Sequence, residues 1–130
     1  MKSFTDLSQS KKLAEILPLE SADMWWAERY AGRVENYEYI VEEKPVYYLS
    51  FTKPSEGNYS QDTIKDIPCW SLAALLDVLP EIHLKKYIYA GITKYYTTLI
   101  GIRQFNSKHY DNPVDACYEM VLKLHEQKLL

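Results

Sequence analysis

The fold is decided by the stretch Ile67-Pro68-Cys69-Trp70-Ser71-Leu72-Ala73-Ala74-Leu75-Leu76-Asp77-Val78-Leu79-Pro80. Alanine and leucine are strong helix formers, and Pro80 cannot continue a helix, so the stretch predicts a short helix over about residues 70–79. Between Trp70 and Leu79 only Ser71 and Asp77 are clearly polar. Because apolar residues surround nearly the whole circumference, we expect this helix to be covered on several sides and to lie at the centre of the fold.

A second helix is predicted at the C-terminus, over about residues 113–128. Asn112 is a good N-cap, Pro113 suits the first helical position, and Asp115 complements the helix dipole. The apolar side chains of this segment share one broad face: Val114, Cys117, Tyr118, Met120, Val121 and Leu124. The segment is therefore typical of an amphipathic helix that packs on a sheet or on the central helix.

A short helix is also predicted near the N-terminus, from about Leu7 to Ile16. Asp6 can cap this helix, and Gln9 stands three positions later, which is the spacing of a capping box. Pro18 ends it. The segment that follows, residues 21–34, allows either a second short helix or an extended chain, and its two adjacent tryptophans point to different sides in both cases.

Two segments alternate with the period of a β-strand. In residues 36–52 the alternation runs on both sides of Pro45, which predicts two strands, with the proline near a turn or on an edge. In residues 84–106 one strand centres on Tyr87-Ile88-Tyr89, a bend is expected at Ala90-Gly91, and a longer strand runs from Tyr95 to Phe105. Gly101 inside that strand predicts a bulge, and residues 54–62 have the composition of a loop.

The predicted architecture is a single α+β domain over residues 1–130. An antiparallel sheet from the two strand pairs (about 36–52 and 84–106) is packed by the central buried helix (about 70–79) and the C-terminal amphipathic helix (about 113–128), with the short N-terminal helix beside them. The 130 residues, 47% hydrophobic and 25% charged, are ordinary for a folded chain. Since no apolar run approaches the length of a leader or a membrane span, we expect a cytoplasmic protein.

Residues that could support catalysis or bind a cofactor are sparse and scattered. His83, His109 and His125 have no metal-binding spacing, and His125 is expected near the middle of the apolar face of the last helix. Cys69 and Cys117 lie in apolar segments and are interpreted as reduced core residues. A thiol nucleophile on Cys69, at the start of a helix, is a distant alternative that needs a histidine within reach. The four glycines are scattered, so no phosphate-binding loop, cofactor or metal is predicted.

The most informative feature is a charge asymmetry between the two strand pairs. Residues 82–110 contain no Asp or Glu, whereas Glu35, Glu38, Glu42 and Glu43 lie on or beside the first pair. The second pair supplies a candidate partner surface of basic and aromatic residues: Lys85, Lys86, Tyr87, Tyr89, Lys94, Tyr95, Tyr96, Arg103, Phe105, Lys108 and Tyr110. Such residues on strands are typical of surfaces that bind single-stranded nucleic acid. The acidic and basic strands could instead be cross-strand partners in one sheet, or meet across a dimer.

Three stretches carry a resemblance to known proteins: Ser21-Ala22-Asp23-Met24, then Cys69 to Pro80, and then Asp111-Asn112-Pro113-Val114-Asp115-Ala116-Cys117-Tyr118-Glu119-Met120 through Leu124-His125-Glu126. Over about a third of its length the chain resembles a group of short proteins of gut Bacteroides-type genomes, some of them in prophage-like or mobile regions. The resemblance implies a bacterial cytoplasmic setting and a mobile-element origin. No activity is assigned to that group, so no functional residue is carried over.

The sequence favours a non-catalytic interaction or accessory protein that binds a protein partner, or itself, through the second strand pair. A weak single-stranded nucleic-acid-binding protein that uses residues 84–110 is the alternative. The net charge of −3 weighs against a general polyanion binder.

Overall fold

The computed structural model describes residues 1–30, 32–51, 66–100 and 105–130. Its helices are α1 (Leu7–Ala14), α2 (Leu72–Val78) and α3 (Pro113–Glu126), with a 3₁₀ turn at Leu19–Ser21. Its strands are β1 (Met24–Arg29), β2 (Gly32–Glu35), β3 (Glu38–Val41), β4 (Val46–Ser50), β5 (Asp66–Cys69), β6 (Ile82–Tyr89), β7 (Ile92–Leu99) and β8 (Phe105–Asn106). The predicted α+β class is confirmed. The predicted loop at 54–62 and the predicted bulge at Gly101 lie outside the described residues.

The two terminal helices begin where their caps predict. The Asp6 side chain accepts from the Gln9 backbone N–H at 2.8 Å, and the Gln9 side chain accepts in return from the Asp6 N–H at 3.1 Å. The helix α1 ends at Ala14, two residues before the expected Ile16. The Asn112 side chain accepts from the Asp115 N–H at 2.9 Å, and the apolar face of α3 is buried except for Tyr118, which is half-buried. No helix in the described ranges has both the length and the apolar character that a membrane span requires.

The central helix is buried on one broad side, not on several as its sequence predicted. Trp70 and Leu75 are completely buried and pack with Leu13 of α1 and Met120 of α3 in one core. Leu76, one position further along, is 39% exposed. Because α2 has only seven residues, its neighbours cover a single face, and part of its apolar circumference remains in contact with solvent.

The strands form three small antiparallel sheets in the described residues, not the single sheet that was predicted. Strand β3 pairs with the preceding strand β2, so residues 36–52 do not form a hairpin across Pro45. Asn36 and Tyr37 join β2 to β3 in left-handed conformations, with φ of 52° and 64°, which closes a two-residue turn. Strand β4 pairs instead with β1, which also pairs with β5 on its other side.

The segment 21–34, which the sequence left open, is mostly extended because it supplies the middle strand of the sheet β4-β1-β5. Met24 and Ala27 of β1 are buried, and both tryptophans between them are half-buried. The Trp26 indole N–H donates to the Thr5 carbonyl at 3.3 Å, so this strand is fixed against the chain that leads into α1.

The third sheet, in the order β6-β7-β8, contains the predicted second strand pair. Strands β6 and β7 are joined at Ala90 and Gly91, both with positive φ (50° and 78°), where the bend was predicted. The predicted long strand from Tyr95 to Phe105 is wrong in its extent, since β7 ends at Leu99 and Phe105 belongs to β8. Ile82, Leu84 and Leu99 pack one face of the sheet onto the helical core.

Candidate interaction surface

The strand register divides the candidate partner residues between two faces of the β6–β7 hairpin. Paired residues in an antiparallel sheet share a face, and successive residues alternate. Lys85 pairs with Tyr96 and Tyr87 with Lys94, whereas the core residue Leu84 pairs with Thr97. The face turned away from the core, here called the outer face, therefore carries His83, Lys85, Tyr87, Tyr89, Ile92, Lys94 and Tyr96.

Three of the predicted surface residues have packing roles on the other face. Tyr95 exchanges two backbone hydrogen bonds with Tyr110, at 2.7 and 2.8 Å. The Tyr110 hydroxyl donates to Glu119 Oε1 at 3.0 Å, and burial together with the Glu119 carboxylate raises the pKa of Tyr110 to about 12. Phe105 packs against the helical core. These rings join the sheet to α3 and the core, so they belong to the fold more than to a surface for partners.

On the outer face, Tyr87, Tyr96 and His109 form a compact aromatic cluster, here called the tyrosine–histidine cluster. The ring of His109 stacks on that of Tyr96 with centroids 4.6 Å apart and planes inclined by only 8°. The Tyr87 hydroxyl lies 2.6 Å from His109 Nδ1, and its ring meets Tyr96 edge-on at 6.1 Å. The cluster holds the middle of the outer face in a fixed arrangement.

A β-bulge brings His109 over the sheet. Thr98 pairs with Asn106, and Tyr95 pairs with Tyr110. Between these two pairs, two residues of β7 (96 and 97) lie opposite three residues of the neighbouring segment (107–109). The Ser107 hydroxyl accepts the Thr97 backbone N–H at 2.9 Å, in place of a carbonyl of the ladder. Bulges re-aim side chains in this way. The sequence gives no glycine signal here, which is why His109 was missed as a neighbour of Tyr96.

The lysines of the basic segment differ in what they contact. Lys94 donates to the Asp111 carboxylate, and the Lys108 backbone N–H donates to Glu119. Across the parts of the chain that the structure describes, Lys85 and Lys86 take part in no ion pair. Arg103 lies outside the described residues. Two lysines without an ion-pair partner are thus neighbours along β6, with Lys85 on the outer face and Lys86 on the opposite face.

The end of the hairpin beyond the cluster is apolar and open to solvent. Ile88 is 68% exposed and Tyr89 is 78% exposed, and Ile92 across the turn is also exposed. Here these three residues are called the hairpin tip. Tyr89 and Ile92 share the outer face with Lys85, whereas Ile88 lies on the opposite face with Lys86. Exposed large apolar side chains next to such lysines are typical of a surface that another macromolecule covers.

A second exposed hairpin, formed by β2 and β3, carries the acidic residues. Arg33 contacts the carboxylates of Glu35 and Glu42, at 3.3 and 2.5 Å, whereas neither Glu38 nor Glu43 takes part in an ion pair within the described ranges. Because β3 and β6 lie in different sheets, the acidic and basic strands are not cross-strand partners in one sheet. The face of this hairpin that is opposite Arg33, Glu35 and Glu38 consists of Gly32, Val34, Tyr39 and Val41. The side chains of Val34, Tyr39 and Val41 are exposed.

The cysteines and His125 lie in environments that do not favour nucleophilic catalysis. The Cys69 thiol is completely buried, where it donates to the Thr5 carbonyl at 3.4 Å, and burial raises its pKa. Burial also raises the pKa of Cys117 to about 12. The reactive form of cysteine is the thiolate, which burial disfavours. His125 is exposed, not on the apolar face as expected, and its Nδ1 lies 3.3 Å from the Leu130 carbonyl, so it is a contact of the helix end.

One concave region among the described residues is a cavity of about 330 Å³ between the N-terminal segment, β1 and β4, with Asp23 as its charged residue. Both Asp23 oxygens accept from Ser71, one from the backbone N–H at 2.9 Å and one from the hydroxyl. The carboxylate is thus occupied in fixing the start of α2. Over the described ranges, His, Cys, Asp and Glu side chains nowhere gather in a group of three or more that could hold a metal ion.

Comparisons of the chain with protein-family models, with curated proteins and with solved structures find no match. What the outer face and the hairpin tip can bind is therefore inferred from their own residues.

Proposed function

We propose that this protein is a non-catalytic interaction protein and that it binds another protein through the outer face and the tip of the β6–β7 hairpin. The observation that carries the proposal is the exposure of Tyr89 and Ile92 on the same face as Lys85, with Ile88 exposed on the other face beside Lys86. Neither lysine has an ion-pair partner among the described residues. Aromatic and aliphatic side chains bordered by charge are characteristic of protein interfaces. The bacterial cytoplasm and a mobile element are the setting that the resemblance implies, and they remain part of the proposal.

The arrangement of the rings favours a protein partner over a nucleic acid. Bases need free ring faces for stacking. One face of Tyr96 is covered by His109, and the Tyr87 hydroxyl is engaged with the same histidine. The groups that remain open at the tip are largely aliphatic, which suits the apolar centre of a protein interface.

The proposal is tested by changing the tip without changing the core. In the double variant Tyr89→Ser and Ile92→Ser, both residues are exposed, so we expect an unchanged circular dichroism spectrum and unfolding temperature. The matched control is Leu19→Ser with Leu76→Ser, which replaces two exposed apolar residues elsewhere. Association of the purified protein with itself or with a co-purified host protein, measured by light scattering and quantitative co-elution, should be lost in the tip variant and kept in the control. Equal association of the two variants would contradict the proposal.

Binding of single-stranded nucleic acid is the second candidate, and it is favoured by Lys85, Tyr87 and Tyr89 sharing the outer face. It predicts affinity for a labelled oligonucleotide that falls steeply with added salt, because phosphate contacts release counterions. The variant Lys85→Glu with Lys86→Glu should abolish that affinity. An anisotropy signal that stays flat with protein concentration at low salt would exclude this candidate.

A further inference from the structure

We infer that the protein partner presents an extended acidic segment, and that this segment pairs as an additional antiparallel strand with the open edge of β6. The inference rests on the proposed function and adds to it the chemistry of the partner and the way in which it is bound. Three features of β6 carry it: backbone groups directed away from the sheet, exposure on both faces, and two lysines without an ion-pair partner in the described residues.

The hydrogen bonds of β7 show which backbone groups of β6 lie on the open edge. Tyr95 donates its N–H to the Tyr110 carbonyl at 2.7 Å and accepts from the Tyr110 N–H at 2.8 Å, on the side of β7 away from β6. Lys86 is the residue of β6 opposite Tyr95, so its own N–H and carbonyl also point away from the β6–β7 ladder. The same direction recurs two residues on either side, at Leu84 and Ile88. Among the residues that the structure describes, no further strand pairs with β6 on that side.

The two faces of β6 beside this edge are open to solvent. Every residue from Lys85 to Tyr89 is exposed. An added strand needs this room, because its side chains alternate between the two faces of the sheet. Ile88 on one face and Tyr89 on the other offer apolar contacts to the residues that would lie opposite them. Proteins bind extended segments on such edges, where backbone hydrogen bonds supply affinity and side chains supply specificity.

The two lysines can both contact one added strand. Lys85 lies on the outer face and Lys86 on the opposite face. Two consecutive residues of an added strand also lie on opposite faces, so two consecutive carboxylates would each lie on the same face as one lysine. Lys94 already contacts Asp111, and residues 82–110 contain no Asp or Glu. The charge along this edge is therefore complementary to an acidic segment.

The same lysines disfavour a second copy of β6 as the added strand. Because only alternate residues direct their backbone groups outward, two registers overlap most of β6 in an antiparallel pairing of two copies. In these registers either Lys85 or Lys86 lies opposite the same residue of the other copy, and like charges directly opposite are destabilising. Lysines on edge strands oppose the pairing of identical chains in this way. An acidic strand meets attraction at the same positions.

The first test uses a synthetic peptide in which two consecutive glutamates stand between stretches of alternating valine and threonine, and a control peptide with lysines in their place. Amide NMR spectra of the full chain, titrated with peptide to millimolar concentration, should change along β6 with the acidic peptide only. Two further acidic peptides carry N-methyl groups on alternate amides, one in each phase. Since only one phase directs its N–H groups to β6, one of them should bind at least about tenfold more weakly than the other.

The second test changes the backbone of the edge. Ile88→Pro removes an N–H that points away from β7 and leaves the β6–β7 ladder intact, which is the position that a strand tolerates for proline. Ile88→Ser is the matched control, because it removes the same exposed side chain and keeps the N–H. Circular dichroism should show both variants folded, and the proline variant should bind the acidic peptide at least about tenfold more weakly than the serine variant.

The third test reverses the charges of the edge. Lys85→Glu with Lys86→Glu should lose the acidic peptide and gain the basic one. Lys12→Glu with Lys128→Glu changes two exposed lysines elsewhere and gives the same net charge, so it should bind the acidic peptide as the wild type does.

Three outcomes would overturn the inference: a wild type whose spectrum the acidic peptide leaves unchanged, equal binding of the two methylated peptides, or equal binding by folded Ile88→Pro and Ile88→Ser. The proposed function is judged separately, by the variant Tyr89→Ser with Ile92→Ser. If that variant loses a host protein that the wild type retains, and the acidic peptide does not bind, only the inference fails. If an oligonucleotide binds through the two lysines and neither peptide nor protein does, the partner is a nucleic acid, and both fail.

Discussion

At the scale of single residues, Leu75 and Leu76 show what the sequence could and could not predict. Both are leucines in the same apolar helix, yet Leu75 is completely buried and Leu76 is 39% exposed. Composition predicts a buried helix, but the side of it that remains open depends on where α1 and α3 lie. The contacts with those helices are distant in sequence, and no local pattern encodes them.

The same pair gives the sharpest test of the core. Leu75→Ala should lower the free energy of unfolding by about 2–5 kcal/mol, because it removes buried methyl groups and leaves a cavity among Trp70 and α3. Leu76→Ala removes the same atoms from a half-open site and should cost well under half as much. Urea denaturation followed by circular dichroism measures both values. Equal losses in the two variants would show that α2 is not packed as described.

Tyr110 should make the protein sensitive to alkaline pH. Burial and the neighbouring Glu119 raise its pKa to about 12, above the ordinary tyrosine value of about 10. The folded state therefore holds this proton more tightly than the unfolded state does, so its contribution to stability is complete below about pH 10 and is lost as the pH rises through about 12. Tyr110→Phe keeps the ring and removes the ionisable hydroxyl.

We expect the free energy of unfolding to fall less steeply between about pH 10 and 12 in Tyr110→Phe than in the wild type. Glu119→Gln should have a related effect, since it removes the carboxylate that disfavours the tyrosinate. Urea titrations at a series of pH values measure the slope, and the other titrating groups are common to all three proteins. Parallel slopes in the wild type and Tyr110→Phe would contradict the assignment.

At the scale of elements, the helices were predictable because their signals are local. Asp6 with Gln9, and Asn112 with Pro113, identify helix starts within a few residues, and the structure confirms both caps. The pairing of the strands was harder to predict from the sequence. The pairing of β4 with β1 joins residues about twenty positions apart, and alternation alone gives no partner for a strand. The turn at Asn36-Tyr37 lacks the glycine that is usual in such turns. The sequence prediction therefore missed β2 and placed the hairpin across Pro45, between β3 and β4.

The turn that joins β6 to β7 is a test of local strain. Ala90 adopts φ of 50°, a left-handed conformation in which an ordinary side chain costs about 1–2 kcal/mol. Asparagine tolerates this conformation and is the preferred residue before glycine in a two-residue turn. We therefore expect Ala90→Asn to raise the free energy of unfolding by about 0.5–1 kcal/mol. Ala90→Val, which places a β-branched residue there, should lower it, and thermal unfolding of the three proteins gives the order.

At the scale of the whole molecule, the packed core contrasts with the exposed hairpin of β2 and β3 and with the exposed tip of the β6–β7 hairpin. The core unites α1, α2 and α3 with the inner face of β6 and β7, through residues such as Leu13, Leu75 and Met120. The hairpin of β2 and β3 contributes no fully buried side chain to it. The sequence signalled the charge asymmetry, but the faces of the hairpins, the bulge at His109 and the separation into three sheets depend on tertiary contacts. The sequence thus predicted which segment carries the candidate surface, but it did not predict which of its side chains share a face.

This division predicts how amide hydrogens exchange. Amides of β7 and α3 should exchange only through global unfolding, because their hydrogen bonds are enclosed by the core, whereas those of β2 and β3 should exchange by local opening at a small free energy. Exchange followed by mass spectrometry measures this. Protection of β2 and β3 equal to that of α3 would show that this hairpin is part of the core.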